Sequence, residues 1–254
     1  MSLNWTDLPQ HITLLLVAFT RVGAVLMVLP FFSESAIPGQ IRLLFALGLT
    51  LALFGLIRPA LPTPPSDGTL ALLIITEAVT GLAIGMIVRL FFYAITIAGS
   101  LASLQVGLTA AVVADQALGG PVPVLAKLAT LAATLLCLSL GVHHMWLGAI
   151  LDSYRLFPVG GLPAAADFAT LAVGVAGQAM VLGVSLAAPI VIYGIVFNVA
   201  LGLATRIAPT IQVFFLIQPL NLMLGLALVG ITIGAMLLGF AEATAEFIRT
   251  GWQV

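Results

Sequence analysis

The chain has 254 residues, 62% hydrophobic and only 7% charged, with a mean hydropathy of +1.25. Soluble domains carry about 25% charged residues, so this composition excludes a soluble globular protein and describes an integral membrane protein. Eight basic and nine acidic residues leave a net charge of -1, and without clustered Lys and Arg nothing points to a nucleic-acid or anionic-lipid partner.

Leu14 to Leu29 is the first apolar run, interrupted by Thr20 and Arg21 and closed by Pro30. Asn4 or Thr6 is placed to cap a helix that begins near Leu8–Pro9. No Lys or Arg precedes the run and no small-residue cleavage pattern follows it, so it does not read as a removable signal peptide. Arg21 lies too deep to be an interfacial anchor and needs a partner or a wet cavity. A structural ion pair or carbonyl contact is the plainer reading, a transport role the sharper one. Phe31 to Gln40 forms a loop, and a second run, Leu43 to Ile57, ends at Arg58-Pro59. The proline-rich connector Pro59 to Gly68 belongs outside the hydrocarbon.

Leu70 to Leu104 contains no proline. A helix crosses the hydrocarbon in about 20 residues, so this stretch is either a long, projecting helix or bends near Gly99–Ser100. Glu77 and Arg89 on it point about 120° apart, so each is expected to find its partner on another element. Gly81-xxx-Gly85 permits close helix approach. Gln105 to Pro123 mixes Gly107, Asp115, Gln116, a diglycine and two prolines with a short apolar patch, and reads as an extramembrane loop. Val124 to Trp146 gives a further span. His143 and His144 are adjacent, which is poor geometry for one metal, and they read as a polar helix end beside an interfacial tryptophan. The lone cysteine, Cys137, lies inside this apolar run and has no partner for an internal disulfide.

Asp152 to Asp167 is a second loop, carrying Phe157-Pro158-x-Gly160-Gly161. Phe168 to Ala204 is too long for one plain span and contains Pro189, so a kink or two half-helices is expected. Ala208–Pro209 reads as a break between helices, and Pro219 as a kink or restart. Arg206, Gln212, Gln218 and Asn221 around this junction should face protein, water or headgroups. Ile211 to Phe240 is the last apolar stretch, followed by an exposed amphipathic end with Glu242, Glu246 and Arg249. If six spans alternate, Arg42, Lys127 and Arg206 oppose Arg58, Arg155 and Arg249, which leaves orientation open. No fixed-period repeat is present.

At the junction the run N-x-A-L-G-L-x-x-R-x-A-P-x-x-Q-V-F-F-x-x-x-P, Asn198 to Pro219, resembles the C-terminal signature of the FliR/SctT family. These are export-gate membrane proteins of bacterial flagella and type III secretion injectisomes. Pro30 to Arg42 (P-F-F-S-x-x-x-I-P-x-x-I-R), with Arg21 before it, resembles the family's N-terminal part, and Phe157 to Gly161 resembles it as well. The resemblance implies an all-α polytopic membrane protein, one unit over residues 1–254, with about six long, kinked helices in a multi-subunit helical gate. Loops are expected near 31–40, 59–69, 105–123, 152–167 and 205–210.

It also implies FliP-like and FliQ-like partners in a hetero-oligomer, FlhB-like and FlhA-like export proteins nearby, and unfolded substrates in transit through the inner membrane at the flagellar basal body. No cofactor and no covalent chemistry are implied. Arg21, Pro30, Pro38, Arg42 and Glu77, with Asn198, Arg206, Pro209, Gln212, Phe214, Phe215 and Pro219, are the implied signature and subunit-contact positions. The loop from Gln105 and Gly107 falls where the family carries a pore plug. That plug usually presents phenylalanines, whereas this loop offers Leu108, Val112, Val113 and Leu118 with Asp115 and Gln116.

Between the two machines, Ser35 to Arg42 looks more like the flagellar branch, with the injectisome as the alternative. A free-standing transporter would need paired broken helices in both halves, and the first half lacks a proline in its long run. An intramembrane enzyme would rest on Ser139, His143 and Asp152, with no mark of an activated nucleophile.

Overall fold

The computed structural model describes residues 8–33, 37–61, 67–108, 111–115, 120–207 and 213–250. Among the described residues the chain forms seven α-helices and one antiparallel hairpin. The helices are α1 (Leu8–Val28), α2 (Gly39–Ile57), α3 (Asp67–Val106), α4 (Val124–Ser139), α5 (Val142–Leu156), α6 (Ala165–Ile207) and α7 (Val213–Arg249). The strands are β1 (Val112–Asp115) and β2 (Gly120–Pro123), between α3 and α4. With no water in the hydrocarbon to satisfy backbone groups, helices are the form in which an apolar chain like this one pairs its own amides. Among the described residues five helices are long and apolar enough to cross a membrane, and the α4–α5 pair adds a sixth if taken as one broken span.

The chain is an all-α polytopic membrane protein, and several local expectations need correcting. Of the two readings of Leu70 to Leu104, the long helix is the one found: the stretch lies within the continuous 40-residue helix α3, about 60 Å long at the usual rise and twice the hydrocarbon thickness. Pro189 and Pro219 both sit inside continuous helices, α6 and α7. A proline forfeits one backbone hydrogen bond, but ending a helix in apolar surroundings would strand several. Val124 to Trp146 is instead broken. Helix α4 ends at Ser139 and α5 starts at Val142, with Gly141 at φ +77° supplying the left-handed turn. Ser139 and His143 therefore do not share a helix face.

The loop after α3 also differs. Val112 pairs with Pro123 and Asp115 with Gly120 in a two-stranded hairpin. Pro121 and Pro123 have no amide to donate, so the ladder to β1 runs through the alternate residues of β2. The Val124 amide continues the same series, donating to the Ala111 carbonyl at 3.0 Å. Strands this short leave little alternating pattern to read.

The chain divides into two compact units: Met1–Leu90 with His143–Val175 and Ile248–Val254, and Phe91–Val142 with Ala176–Phe247. In the first, α1 packs on α2 and buries Val17, Ala18, Val22, Val25 and Leu26. The Gly81 and Gly85 notch of α3 receives the α1 backbone, as the spacing predicted. A Cβ at Gly81 would lie 2.6 Å from the Arg21 carbonyl oxygen, and one at Gly85 3.0 Å from that of Val25. In the second unit, Phe91 stacks on Phe247 at 4.3 Å and Phe92 meets Phe240 edge-on at 5.0 Å, an arrangement that the ring quadrupoles favour. Gly99 accepts the backbone of Ala126 on α4.

Burial is uneven. In the most apolar windows of α1 and α3, 44% of residues are buried, against 17% in α2, 22% in α6 and 17% in α7. The last three thus turn leucine, valine and isoleucine faces away from the chain's own core. Glu242, Glu246 and Arg249 form an exposed end on α7, as expected.

Substituting Gly81 with Val should force α1 from α3 and cost about 1–3 kcal/mol. Gly177→Ala, where a Cβ meets nothing within 4 Å, should be neutral or slightly stabilising. Thermal unfolding in detergent, followed by helical circular dichroism, separates the two.

Candidate functional site

Two polar constellations stand out against the apolar background, one in each unit. In the first unit, Arg21 of α1 and Glu77 of α3 are both fully buried. The pair is bidentate: Arg21 Nε lies 2.6 Å from Glu77 Oε2, and Nη2 donates to Oε1 at 2.9 Å. The remaining donor, Nη1, reaches the carbonyls of Ser153 at 3.1 Å and Phe157 at 2.9 Å. These are end-of-helix acceptors of α5, where the helix dipole favours a cation. The guanidinium also lies over the Tyr154 ring, 4.2 Å from its centroid. On the other side Glu77 Oε1 accepts the Gly160 amide at 3.0 Å.

Gly160 holds φ +84°, so the Phe157–Gly161 turn depends on a left-handed residue that also supplies this donor. Tyr154 donates to the Ala18 carbonyl at 3.3 Å, and Thr80 to that of Gly161 at 3.3 Å. The arrangement clips α1, α3 and the α5–α6 turn together with every charge satisfied. It is built to hold, with both charged side chains fully shielded from solvent.

The second constellation lies where α3 ends. Asn221 of α7 is buried; its Nδ2 donates to the Gln105 carbonyl at 3.1 Å, and its Oδ1 accepts the Tyr193 hydroxyl at 2.9 Å. Gly107 turns the chain at φ +86°. Leu108 packs on the cluster of Ala102, Val106, Ile190 and Val229. Of the loop residues that the resemblance singled out, Val112 is 54% exposed on β1, which also carries Val113 and Asp115. Gln116 and Leu118 lie outside the described residues.

The signature positions are spread out. Pro30 follows α1, and Pro38 precedes α2 at φ -56° and ψ 140°. Arg42 donates to the Ile37 carbonyl at 3.1 Å. Asn198 is exposed on α6, with its amide on the Gly194 carbonyl at 2.8 Å. Arg206 is exposed in the last turn of α6, where its charge suits the dipole. Pro209 and Gln212 lie outside the described residues, as do Asn4 and Thr6; Phe214 and Phe215 belong to the first turn of α7, and Pro219 is exposed further on.

Sequence reasoning named Arg21 and Glu77 without joining them, and passed over Ser153 and Tyr154. Two opposite charges deep in separate apolar runs are the available signal for such a pair. Arg89 makes no ion pair among the described residues. It is only half-buried, so its head is not forced into a pair. Among the described residues no group of three or more His, Cys, Asp or Glu could hold a metal. The rings of His143 and His144 lie 4.0 Å apart at the start of α5.

The pattern of bacterial export proteins, family 1, matches residues 12–247. The chain is 36% identical to the flagellar biosynthetic protein FliR of Caulobacter vibrioides over 231 residues, 91% of this chain and 92% of that protein. It is 34% identical to FliR of Escherichia coli, covering 82% of this chain and 79% of that protein. Against FliR of Bacillus subtilis the identity is 30%, over 82% and 81% of the two chains. The matched span contains both polar constellations.

Removing one member of a fully buried pair strands the other charge, at about 3–5 kcal/mol. Arg21→Ala should therefore destabilise the protein more than the double replacement Arg21→Met with Glu77→Leu. Unfolding midpoints of the purified variants in one detergent give the comparison.

Proposed function

The chain belongs to the bacterial export proteins, family 1, and on that premise we propose that it is a structural and gating subunit of the flagellar type III export apparatus in the bacterial inner membrane. Its similarity to flagellar biosynthetic proteins along nearly its whole length is the observation that carries this reading. At the coarser level it is a membrane component of flagellar export. The finer role is assembly with FliP-like and FliQ-like subunits into the substrate-conducting pore, beside FlhB-like and FlhA-like proteins.

Three features of the chain support that role. The apolar faces of α2, α6 and α7 are largely uncovered by the chain itself. Helices α3, α6 and α7 exceed the length a bilayer requires. The polar constellations hold helices together and offer no reactive group, which suits conduction without covalent chemistry. In this reading the loop from Gln105 to Leu118 plugs the pore. Aliphatic residues close it by excluding water, in place of phenylalanines. Arg21, Pro30, Pro38, Arg42, Glu77 and the Asn198–Pro219 signature shape the subunit contacts.

Deleting the gene in its native host should abolish secretion of flagellar axial proteins and motility, with the chain supplied in trans restoring both. Normal secretion together with loss of a small-solute flux would favour a transporter. For the plug, removal of Ala110–Asp115 should leave export in place and make the membrane leaky to small ions. Unchanged conductance in that deletion, with the chain still assembled, contradicts the plug assignment.

A further inference from the structure

In the first unit the exposed positions of α3 run in single file. Leu72, Ile75, Val79, Leu82 and Met86 are each between 43% and 64% exposed, and the partly exposed Arg89 continues the line. Between them Thr76, Glu77, Thr80, Ile84, Ile87 and Val88 are buried. The spacing is three, four, three, four and three, a strict heptad. On a straight helix such a line falls back about 20° with each heptad, so it winds slowly around α3. That is the geometry of a seam along which a second helix packs as a left-handed pair, knobs into holes. Leu72 and Arg89 are 17 residues apart, about 26 Å along the axis. Glu77, held by Arg21, lies on the opposite face. The seam and the ion-pair clip are therefore separate surfaces of one helix.

The arginine decides what can cover the seam. Arg89 makes no ion pair among the described residues, and while the seam is open its head keeps an exposed side. A helix laid along the seam removes that side, and a covered guanidinium in apolar surroundings requires an anion. Acyl chains offer it no acceptor. A second copy of this chain fails as well, because its seam carries the same cation and no carboxylate. Glu77, the acidic residue inside α3, is already bound to Arg21. Self-pairing would leave both arginines unanswered.

We propose that the α3 seam docks one helix of a different membrane subunit, apolar at every third and fourth position and carrying one Asp or Glu level with Arg89. The proposal rests on the multi-subunit role above for the existence of a partner, and on the seam for where that partner sits. The aliphatic positions supply contact area, and the ion pair fixes register and partner choice. Sliding the helix by one turn, about 5.4 Å, takes its carboxylate off the guanidinium.

The test uses the full-length chain in the membranes of its native host, with a photo-crosslinking amino acid placed in turn at Val79, Leu82 and Met86. All three should capture one apolar segment of a different chain, at sites three or four residues apart, with an acidic residue nearby. Arg89→Glu should lower the recovered complex about ten-fold, and Arg89→Lys much less. Replacing the captured acidic residue with Lys should restore the complex in the Arg89→Glu background. Arg89→Gln should leave the unfolding midpoint of the isolated chain in detergent unchanged.

Adducts to lipid alone, or to another copy of this chain, overturn the proposal. So does a complex indifferent to Arg89→Glu, or one that the charge swap fails to restore. A midpoint that falls with Arg89→Gln overturns it too, since the arginine is then answered within its own chain. A complex that forms while the seam captures nothing removes the docking site and leaves the subunit role standing. A chain recovered alone, with its companions expressed, removes both.

Discussion

A fully buried arginine and glutamate, satisfied by each other, by the backbone and by the Tyr154 ring, are the constraint on which the first unit depends. Neither ion can be accommodated in an apolar interior unless its partner, the two α5 carbonyls and the Gly160 amide all arrive together. The contacts that bring them there follow from this requirement. Helix α1 approaches α3 through the Gly81–Gly85 notch, close enough for the guanidinium to reach Glu77. The α5–α6 connection turns through a left-handed glycine so that an amide faces the carboxylate. Hydrophobic attraction between helices is weak in a lipid setting, so directional polar contacts of this kind carry the specificity of packing.

The second unit meets the same constraint with neutral groups. Where α3 stops, a carbonyl is left over, and Asn221 satisfies it from another helix while Tyr193 satisfies Asn221. Glycines again permit the approach, at Gly194 and Gly225. The two units therefore share a principle. Small residues bring backbones close, and a polar side chain then fixes the register where a helix end or a buried charge would otherwise be unsatisfied. Outside these points α2, α6 and α7 present long aliphatic faces, which suits a subunit embedded among lipids and other membrane proteins.

Much of this was legible in the residues. Composition alone excluded a soluble domain, and the apolar runs located α1, α2, α3 and α6 to within a few positions, while α5 runs on to Leu156, into what reads as loop. The need of Arg21 for a buried partner followed from its depth in the first run. What could not be read was which charge answered it, because Glu77 is distant in sequence and no spacing links the two. Neither Pro189 nor Pro219 divides its helix, because a proline loses one hydrogen bond whereas a broken helix exposes several in apolar surroundings. It was a glycine, Gly141, that ended a helix inside an apparently continuous span. The hairpin escaped notice because its strands are four residues each, too short for a period. Asn221 was recognised as polar and misplaced in setting, but only the fold brings it to the end of α3.

The proposed role makes this chain one subunit of a hetero-oligomeric membrane gate. The most direct measurement is native mass spectrometry of the tagged chain, co-expressed with FliP-like and FliQ-like proteins and extracted in mild detergent. The expected result is a discrete complex that holds this chain with several copies of each partner. A lone monomer or homodimer, obtained while both partners are well expressed in the same membranes, would contradict it.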